Sequence, residues 1–317
     1  MTAIGVDIGG STTEVVRIGP DGGIEGHALV PTRPGAALVD GTIEAIRRVA
    51  PTGGVDRIGV GIPGQVDRVD GSVGLAVNLG IDGVRLPLGS RLAAAFDAHV
   101  EVENDARAAA LGAHVHLAPD ADVLVFLGIG TGVAAGVVID GRIHRGRNGM
   151  AGEIGHVVVD PTGPACRCGQ RGCLEALVSG GALRDRWPAG GAEAAAHLFR
   201  RATVGDPDAR VLADEVTAHL ATAITWLVVA YGADVAVLGG GVGRIGEPLL
   251  QAVRGRLAEQ ASRSEVAGFL LGPERIRCAP AEGPLGAVGA AALVGATARP
   301  LEDAATPVVA MNPATPG

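Results

Sequence analysis

The stretch from Gly152 to Glu175 constrains this chain more than any other. It reads Gly-Glu-Ile-Gly-His, then Val-Val-Val-Asp-Pro-Thr-Gly-Pro-Ala, then Cys-Arg-Cys-Gly-Gln-Arg-Gly-Cys-Leu-Glu. Three of the four cysteines, Cys166, Cys168 and Cys173, fall within eight residues, and His156 stands ten residues before the first. Three thiolates and one imidazole make a closed tetrahedral zinc set with no position left for water, so the metal expected here is structural. Gly169 and Gly172 let the loop turn tightly enough for the sulfurs to meet. The competing reading is three buried thiols that happen to cluster, but small buried cysteines need neither this spacing nor these glycines.

Two carboxylates, Glu153 and Glu175, flank the donors in sequence. If His156 gives one ring nitrogen to zinc, the metal fixes the tautomer and the other nitrogen can face a ligand. The segment therefore reads as a metal-stapled loop that holds polar groups at a binding site. Each carboxylate also has a plainer reading, Glu153 as a surface charge and Glu175 as a helix cap.

A chain of 317 residues with 47% hydrophobic residues has room for two domains and a large core. Aromatics make up only 2%, too few for base-stacking platforms, and the net charge of -8 with no basic cluster longer than Arg47-Arg48 argues against a nucleic-acid partner. No apolar run of membrane-spanning length and no signal pattern are read, so a membrane partner is not expected. Cys278, left over from the cluster, fits reduced thiols plus a metal site, and the expected location is the cytoplasm.

Along the chain, residues 3–7, 14–18 and 24–30 read as strands, joined by the turns Asp7-Ile-Gly-Gly-Ser-Thr-Thr and Asp21-Gly22-Gly23. Residues 37–49 have helical spacing and 56–62 return as a strand. Residues 65–86 look rich in loops, followed by a helix over 88–98, a short strand over 100–103 and a helix over 105–117. The expected domain boundary lies at Pro119-Asp120. Beyond it come strands at 123–127, 133–139 and 142–144, helices at 191–203 and 209–231, and a strand at 235–238. A helix at 247–260, a strand at 276–278 and a helix of small residues at 285–297 complete the pattern. The tail from Arg299, with four prolines, reads as disordered. Each half opens with a strand, a glycine turn and a second apolar strand, which suggests two related domains.

Asp7 to Thr13 and Gly128 to Gly132 each place glycines and hydroxyls at a strand end, where backbone N–H groups approach phosphate oxygens. Asp7 is the candidate to hold Mg2+, usually through water. With Gly239 to Gly241 as a third glycine turn, a nucleotide site is the better reading. The Gly-x-x-x-x-Gly-Lys-Ser/Thr phosphate loop is absent. Gly241-Val-Gly-Arg-Ile-Gly246 matches a dinucleotide fingerprint, but it comes late and leaves the other glycine turns without a role. Glu103-Asn104-Asp105 sits where a strand gives way to a helix. A carboxylate there suits a general base, and a helix cap is the bland alternative. His114 and His116 read as surface residues.

Taken together these pieces resemble the ROK family of bacterial sugar kinases and sugar-responsive repressors. The resemblance spans Asp7 to Ala292. It rests on Asp7-Ile-Gly-Gly-Ser-Thr, Gly61-Ile-Pro-Gly64, Glu103-Asn-Asp-Ala106, the segment Gly128 to Gly149, Glu153-Ile-Gly-His156, the cysteine loop, Glu175, Leu238-Gly-Gly-Gly241 and Leu285-Gly-Ala-Val-Gly-Ala-Ala291. It implies an α/β, actin-like (ribonuclease H-like) two-domain fold with a central nucleotide and sugar cleft. The N-terminal domain would be residues 1–118, joined by a C-terminal helix over 285–298, and the larger domain 119–284 would carry the zinc loop. By resemblance Asp105 is the catalytic base. Gly64, Asn78, Asn104, Asp105, Glu153, His156 and Glu175 would hold the sugar. Asp7, Gly9, Gly10, Ser11, Thr12, Gly130, Thr131, Gly132, Gly240 and Gly241 would lie along ATP and its Mg2+, and His156, Cys166, Cys168 and Cys173 would bind Zn2+. Family members are commonly dimers or tetramers, so a homo-oligomer is expected.

The chain departs from the family pattern in three places. The usual Thr of the first turn is Ser11, the Lys often found two residues later is Thr13, and Ile81 stands where glucokinases of the family carry Trp. The expected activity is ATP-dependent phosphorylation of a hexose hydroxyl, the 6-OH, with glucose as default. N-acetylglucosamine, N-acetylmannosamine, kanosamine or a C7-cyclitol are the alternatives. A non-catalytic sugar-sensing regulator is the alternative from another class. With the first strand beginning at Ala3, no helix-turn-helix region of the kind such regulators carry is expected.

Overall fold

The glycine turn after Asp7 folds β1 (Ala3–Ile8) back onto β2 (Thr12–Ile18), with Gly9 N–H donating to the Thr12 carbonyl at 2.8 Å. The computed structural model describes residues 2–83, 85–280, 283–296 and 309–310. Two compact units divide the chain: Met1–Pro119 with Gly146–Met150 and Gly283–Gly317, and Asp120–Arg145 with Ala151–Glu282.

In the first unit β3 (Ile24–Pro31) pairs antiparallel with β2, and α1 (Leu38–Val49) leads to β4 (Arg57–Ile62), which runs parallel to β1. The region read as loop contains a hairpin, β5 (Gln65–Asp67) with β6 (Ser72–Gly74). Asp67 and Asp70 close its turn by accepting from the N–H groups of Val69 and Ser72 at 3.0 and 2.8 Å. Next come α2 (Leu88–Phe96), β7 (His99–Asn104), parallel to β4, and α3 (Asp105–Leu117). Ile4, Val6, Ile8, Ile58, Val60 and Ile62 are fully buried on β1 and β4 and form the centre of the core. Each contributes about 1.5–3 kcal/mol of burial, which explains why these strands read as continuous apolar runs.

The second unit opens with β8 (Val123–Ile129), β9 (Val133–Ile139) and the short β10 (Arg142–Ile143), antiparallel in succession. After the cysteine segment come α4 (Leu174–Val178), α5 (Gly180–Arg186), α6 (Ala194–Thr203) and α7 (Pro207–Tyr231). The start of α7 is set by Pro207 in its first turn and by the Asp206 side chain, which accepts from Ala209 N–H at 3.1 Å. Among the described residues α7 is the helix long and apolar enough to cross a membrane, but half of its apolar window is buried inside the protein, in the core of this unit. Then β11 (Val235–Gly239) runs parallel to β8, and α8 (Gly240–Gly243), α9 (Glu247–Ala261), α10 (Glu265–Leu270) and β12 (Ile276–Cys278) follow.

The strand orders are β3-β2-β1-β4-β7 in the first sheet and β10-β9-β8-β11-β12 in the second. Both are an antiparallel meander of three strands followed by two parallel additions, so the likeness between the halves extends from their glycine turns to their topology.

The small-residue helix α11 (Leu285–Leu293) belongs to the first unit and packs on β1, β4 and α3. Gly5 and Gly59, paired in register across β1 and β4, have no side chain, and a Cβ on either would overlap the carbonyl of Ala287 or Ala290. Backbone-to-backbone packing of this kind explains the run Gly-Ala-Val-Gly-Ala-Ala. The helix read as far as 297 ends at Leu293, where Gly295 and Ala296 donate their N–H groups to Ala292 and Ala291. The tail read as disordered lies outside the described residues, except that β13 (Val309–Ala310) pairs with β3.

Candidate active site

The first glycine turn is braced by two threonines. Thr32 Oγ1 donates to the Gly9 carbonyl at 2.8 Å and shares a 2.9 Å hydrogen bond with Thr13 Oγ1. Thr13 is buried, whereas Gly10, Ser11 and Thr12 are exposed. Asp7, half-buried near the end of β1, approaches Gly286 so closely that a Cβ there would overlap its carboxylate. Asn78 lies exposed in a single helical turn, Val77–Leu79, where its Cβ would just meet a Cβ placed on Gly10. Gly64 packs against Gly74 and Ala76 at the base of the same loop. Thus Gly10, Asn78 and Gly64 gather around one loop.

At the junction of β7 and α3 the chain places Glu103, Asn104 and Asp105. Asn104 caps the helix, its Oδ1 accepting from Ala106 and Arg107 N–H at 3.1 and 3.3 Å. The helix-cap reading therefore applies to Asn104. Asp105 is the first helical residue, half-buried, and its Oδ1 also accepts from Ala106 N–H at 2.9 Å. A carboxylate here is favoured in its ionised form by the helix N-terminus. Two residues that sequence reasoning missed complete the junction: Glu103, read only as part of the motif, and Arg107 form a buried ion pair with Nε–Oε1 2.9 Å. The same helix corrects the reading of the histidines. His114 is buried, and both ring nitrogens of His116 are buried without a hydrogen-bond partner, so burial pushes its pKa down.

In the second unit Gly130–Gly132 turns at the end of β8, with Gly130 N–H bonded to the Gly132 carbonyl at 2.9 Å. Gly240, at the end of β11, packs against the Ile129 backbone, which brings the second and third glycine turns side by side. Glu175 joins them from α4: its Oε2 accepts from Val133 N–H at 3.0 Å. Glu153 is half-buried and begins the helical turn Ile154–His156.

The four expected metal donors converge, with His156 Nδ1, Cys166 Sγ, Cys168 Sγ and Cys173 Sγ all within 4.8 Å of one another. Cys166 Sγ lies 3.7 Å from His156 Nδ1, and Cys168 Sγ lies 3.6 Å from Cys173 Sγ. Donors bound tetrahedrally to one zinc stand roughly 3.5–3.8 Å apart, so the set fits the ion. The loop is also tied by backbone bonds, Cys166 N–H to Gln170 O at 2.8 Å and Val159 N–H to Gly172 O at 2.9 Å. Gly172 has φ 70°, and a Cβ there would overlap the Asp160 carbonyl. Hydrogen bonds from Gln170 hold the exposed Cys168 thiol below its usual range, whereas burial pushes the Cys173 thiol up. A dication would hold both as thiolates.

The family model for the ROK family matches residues 3–297. The chain belongs to the ROK family. It is 35% identical over 315 residues to a glucokinase of Thermotoga maritima, covering 92% of this chain and 96% of that one. It is also 34% identical over 272 residues to an N-acetylmannosamine kinase of Escherichia coli O139:H28, covering 84% and 91%. A ROK glucokinase from Streptomyces griseus, solved with glucose and AMPPNP, superposes with TM-score 0.75 at 30% identity over 92% of this chain and 99% of that one. The fold is the actin-like ATPase fold.

Two departures from the ROK pattern now have a structural account. Thr13, in place of Lys, is a buried brace of the first turn. Ile81, in place of Trp, is a core residue, 5% exposed, whose N–H closes the Asn78 loop on the Ala76 carbonyl at 3.1 Å.

Proposed function

We propose that this ROK protein is an ATP-dependent sugar kinase that transfers the γ-phosphoryl group to a hydroxyl of a hexose, the 6-OH of glucose as the default. The observation that carries the reading is the β7–α3 junction, where a half-buried carboxylate stands at a helix N-terminus beside a buried asparagine. The sugar-holding set is Gly64, Asn78, Asn104, Glu153, His156 and Glu175. With Oδ1 engaged in the cap, Asn104 would offer its Nδ2 to a sugar hydroxyl.

A sugar hydroxyl has a pKa far above 7. Asp105 accepts its proton as the new O–P bond forms and the bond from the γ-phosphorus to the bridging oxygen of ADP breaks. Gly9, Gly10, Ser11 and Thr12 in one turn, with Gly130, Thr131, Gly132, Gly240 and Gly241 in the other two, offer backbone N–H groups and hydroxyls to the nucleotide. Mg2+ accompanying ATP would be met by Asp7 and supplies charge neutralisation when bound. Zn2+ would be held by His156 Nδ1 and the three thiolates, which leaves His156 Nε2 pointed away from the metal and available to the sugar.

A second substrate reading, an amino sugar, is favoured by the N-acetylmannosamine kinase relatives. The proposal carries with it a cytoplasmic homo-oligomer without a nucleic-acid partner. A coupled assay of ADP release with ATP and a panel of hexoses, amino sugars and cyclitols tests it. ATP consumption that depends on one sugar class supports the kinase. Sugar binding with no ATP consumption for any member of the panel means a silent binding protein instead.

A further inference from the structure

Glu103 and Arg107 are 2% and 3% exposed, yet neither belongs to the sugar-holding or nucleotide set. Their contacts converge on the residues that do. Glu103 Oε1 accepts from Arg107 Nε and from the backbone N–H of Asn104, both at 2.9 Å. Arg107 also gives its own N–H to Asn104 Oδ1 at 3.3 Å. Its Nη1 donates to the Gly149 carbonyl at 2.8 Å, 42 residues further along the chain. Gly149 lies in Gly146–Met150, which packs with the first unit and ends three residues before Glu153. The guanidinium thus joins the end of β7 to the segment Gly146–Met150, while the backbone N–H of the same residue meets the cap of α3.

A buried ion pair is a weak device for stability, because well-packed apolar residues of similar volume usually do as well. The geometry of this one is more specific than stability requires. Arg107 serves two acceptors of different chain segments through a rigid planar fork, which a lysine cannot do. We propose that Arg107 is a positioning residue for phosphoryl transfer. Through Glu103 it fixes the Glu103–Asn104 peptide just before the base, and through Gly149 it ties that peptide to the segment Gly146–Met150 of the same unit, so that Asn104 and Asp105 keep one setting. The inference rests on the reading of Asp105 as the base.

The test compares the parent protein with Arg107→Lys, the double variant Glu103→Leu/Arg107→Met and Asp105→Asn, each followed by thermal melting and by coupled-assay kinetics with the sugar found in the panel. Misplacing a reacting group lowers turnover steeply, so in Arg107→Lys kcat falls and sugar KM rises, each by on the order of 10-fold, while the KM for ATP stays within about two-fold. The double variant, with its melting temperature at or near the parent's, keeps the same kinetic defect. The proposal is overturned if Arg107→Lys has kcat and sugar KM within about two-fold of the parent. It is equally overturned if the double variant recovers both constants along with its melting temperature, or if kcat merely tracks the folded fraction with both KM values unchanged. Where Arg107→Lys does not fold, the double variant decides alone. Asp105→Asn separates the two claims. If it keeps its turnover, the base assignment and this inference fall together; if it loses turnover while Arg107→Lys does not, only the inference falls.

Discussion

The β7–α3 junction and the segment from Glu153 to Glu175 are both proposed to hold the sugar, but each is itself held in the opposite way. The junction is built from regular structure: the edge strand β7, a capped helix and a buried ion pair, with Asn104 and Glu103 almost fully enclosed. The metal segment has single helical turns and isolated bridges, Val158 with Cys173 and Ala165 with Arg171. Its order comes from turn hydrogen bonds and from four donors that converge on one point. A substitution at Asp105 is therefore expected to act on chemistry with the fold intact, and one at a metal donor to act on folding and binding together. Structural zinc supplies folding free energy, so this loop would depend on the ion held by the four donors.

Substitutions can break this contrast or sharpen it. The largest effect is expected at Asp105. Asp105→Asn keeps the acceptor for Ala106 N–H but loses the base, so turnover falls roughly 10²–10⁴-fold with little change in melting temperature. Cys173→Ala should instead abolish zinc binding and lower the thermal midpoint by roughly 5–10 °C, the shift that follows from losing a few kcal/mol in a unit of this size. Metal analysis and calorimetry check both, and a zinc-free variant as stable as the parent would mean that the backbone alone orders the loop. Gly172→Ala approaches the same loop without touching a donor. Its Cβ would overlap the Asp160 carbonyl, so it should weaken zinc and sugar binding together. Glu153→Gln should raise sugar KM by roughly 10- to 100-fold, the range for losing a hydrogen bond to a charged group, and leave kcat nearly unchanged. The smallest effect belongs to Thr13→Val, which removes the Thr13–Thr32 hydrogen bond and should destabilise the protein by about 1 kcal/mol, measured by urea unfolding.

The same contrast explains what could be read from the sequence. The metal donors were legible because three of them are neighbours in the chain and their residue types admit few other uses. The strands and the glycine turns at their ends were legible because both faces of β1, β4, β8 and β11 are buried and their sequences are continuously apolar. Arg107 was not legible. It lies in the first turn of α3 while Glu103 stands near the end of β7, and its second partner, the Gly149 carbonyl, comes from a distant segment. His114 was misread for the same reason, since α11 covers α3 from the far end of the chain. The helix expected near Glu175 is α4, whereas α5 was hidden by Ser179-Gly180-Gly181, where the Ser179 side chain caps it by accepting from Ala182 N–H. That Ile81, in the position where glucokinases of the family carry Trp, belongs to the core of the first unit was not legible either.

The central claim is a division of labour, with chemistry at Asp105 and grip at the zinc-stapled segment. Titration calorimetry of the panel sugar against the parent, Asp105→Asn and Glu153→Gln measures it most directly, because binding is read without turnover. The account predicts that Asp105→Asn binds the sugar within about three-fold of the parent while turning over 10²–10⁴-fold more slowly, and that Glu153→Gln binds roughly 10- to 100-fold more weakly. If Asp105→Asn loses affinity as steeply as turnover, or turns over within a few-fold of the parent, Asp105 is a sugar ligand or a helix residue and the base lies elsewhere.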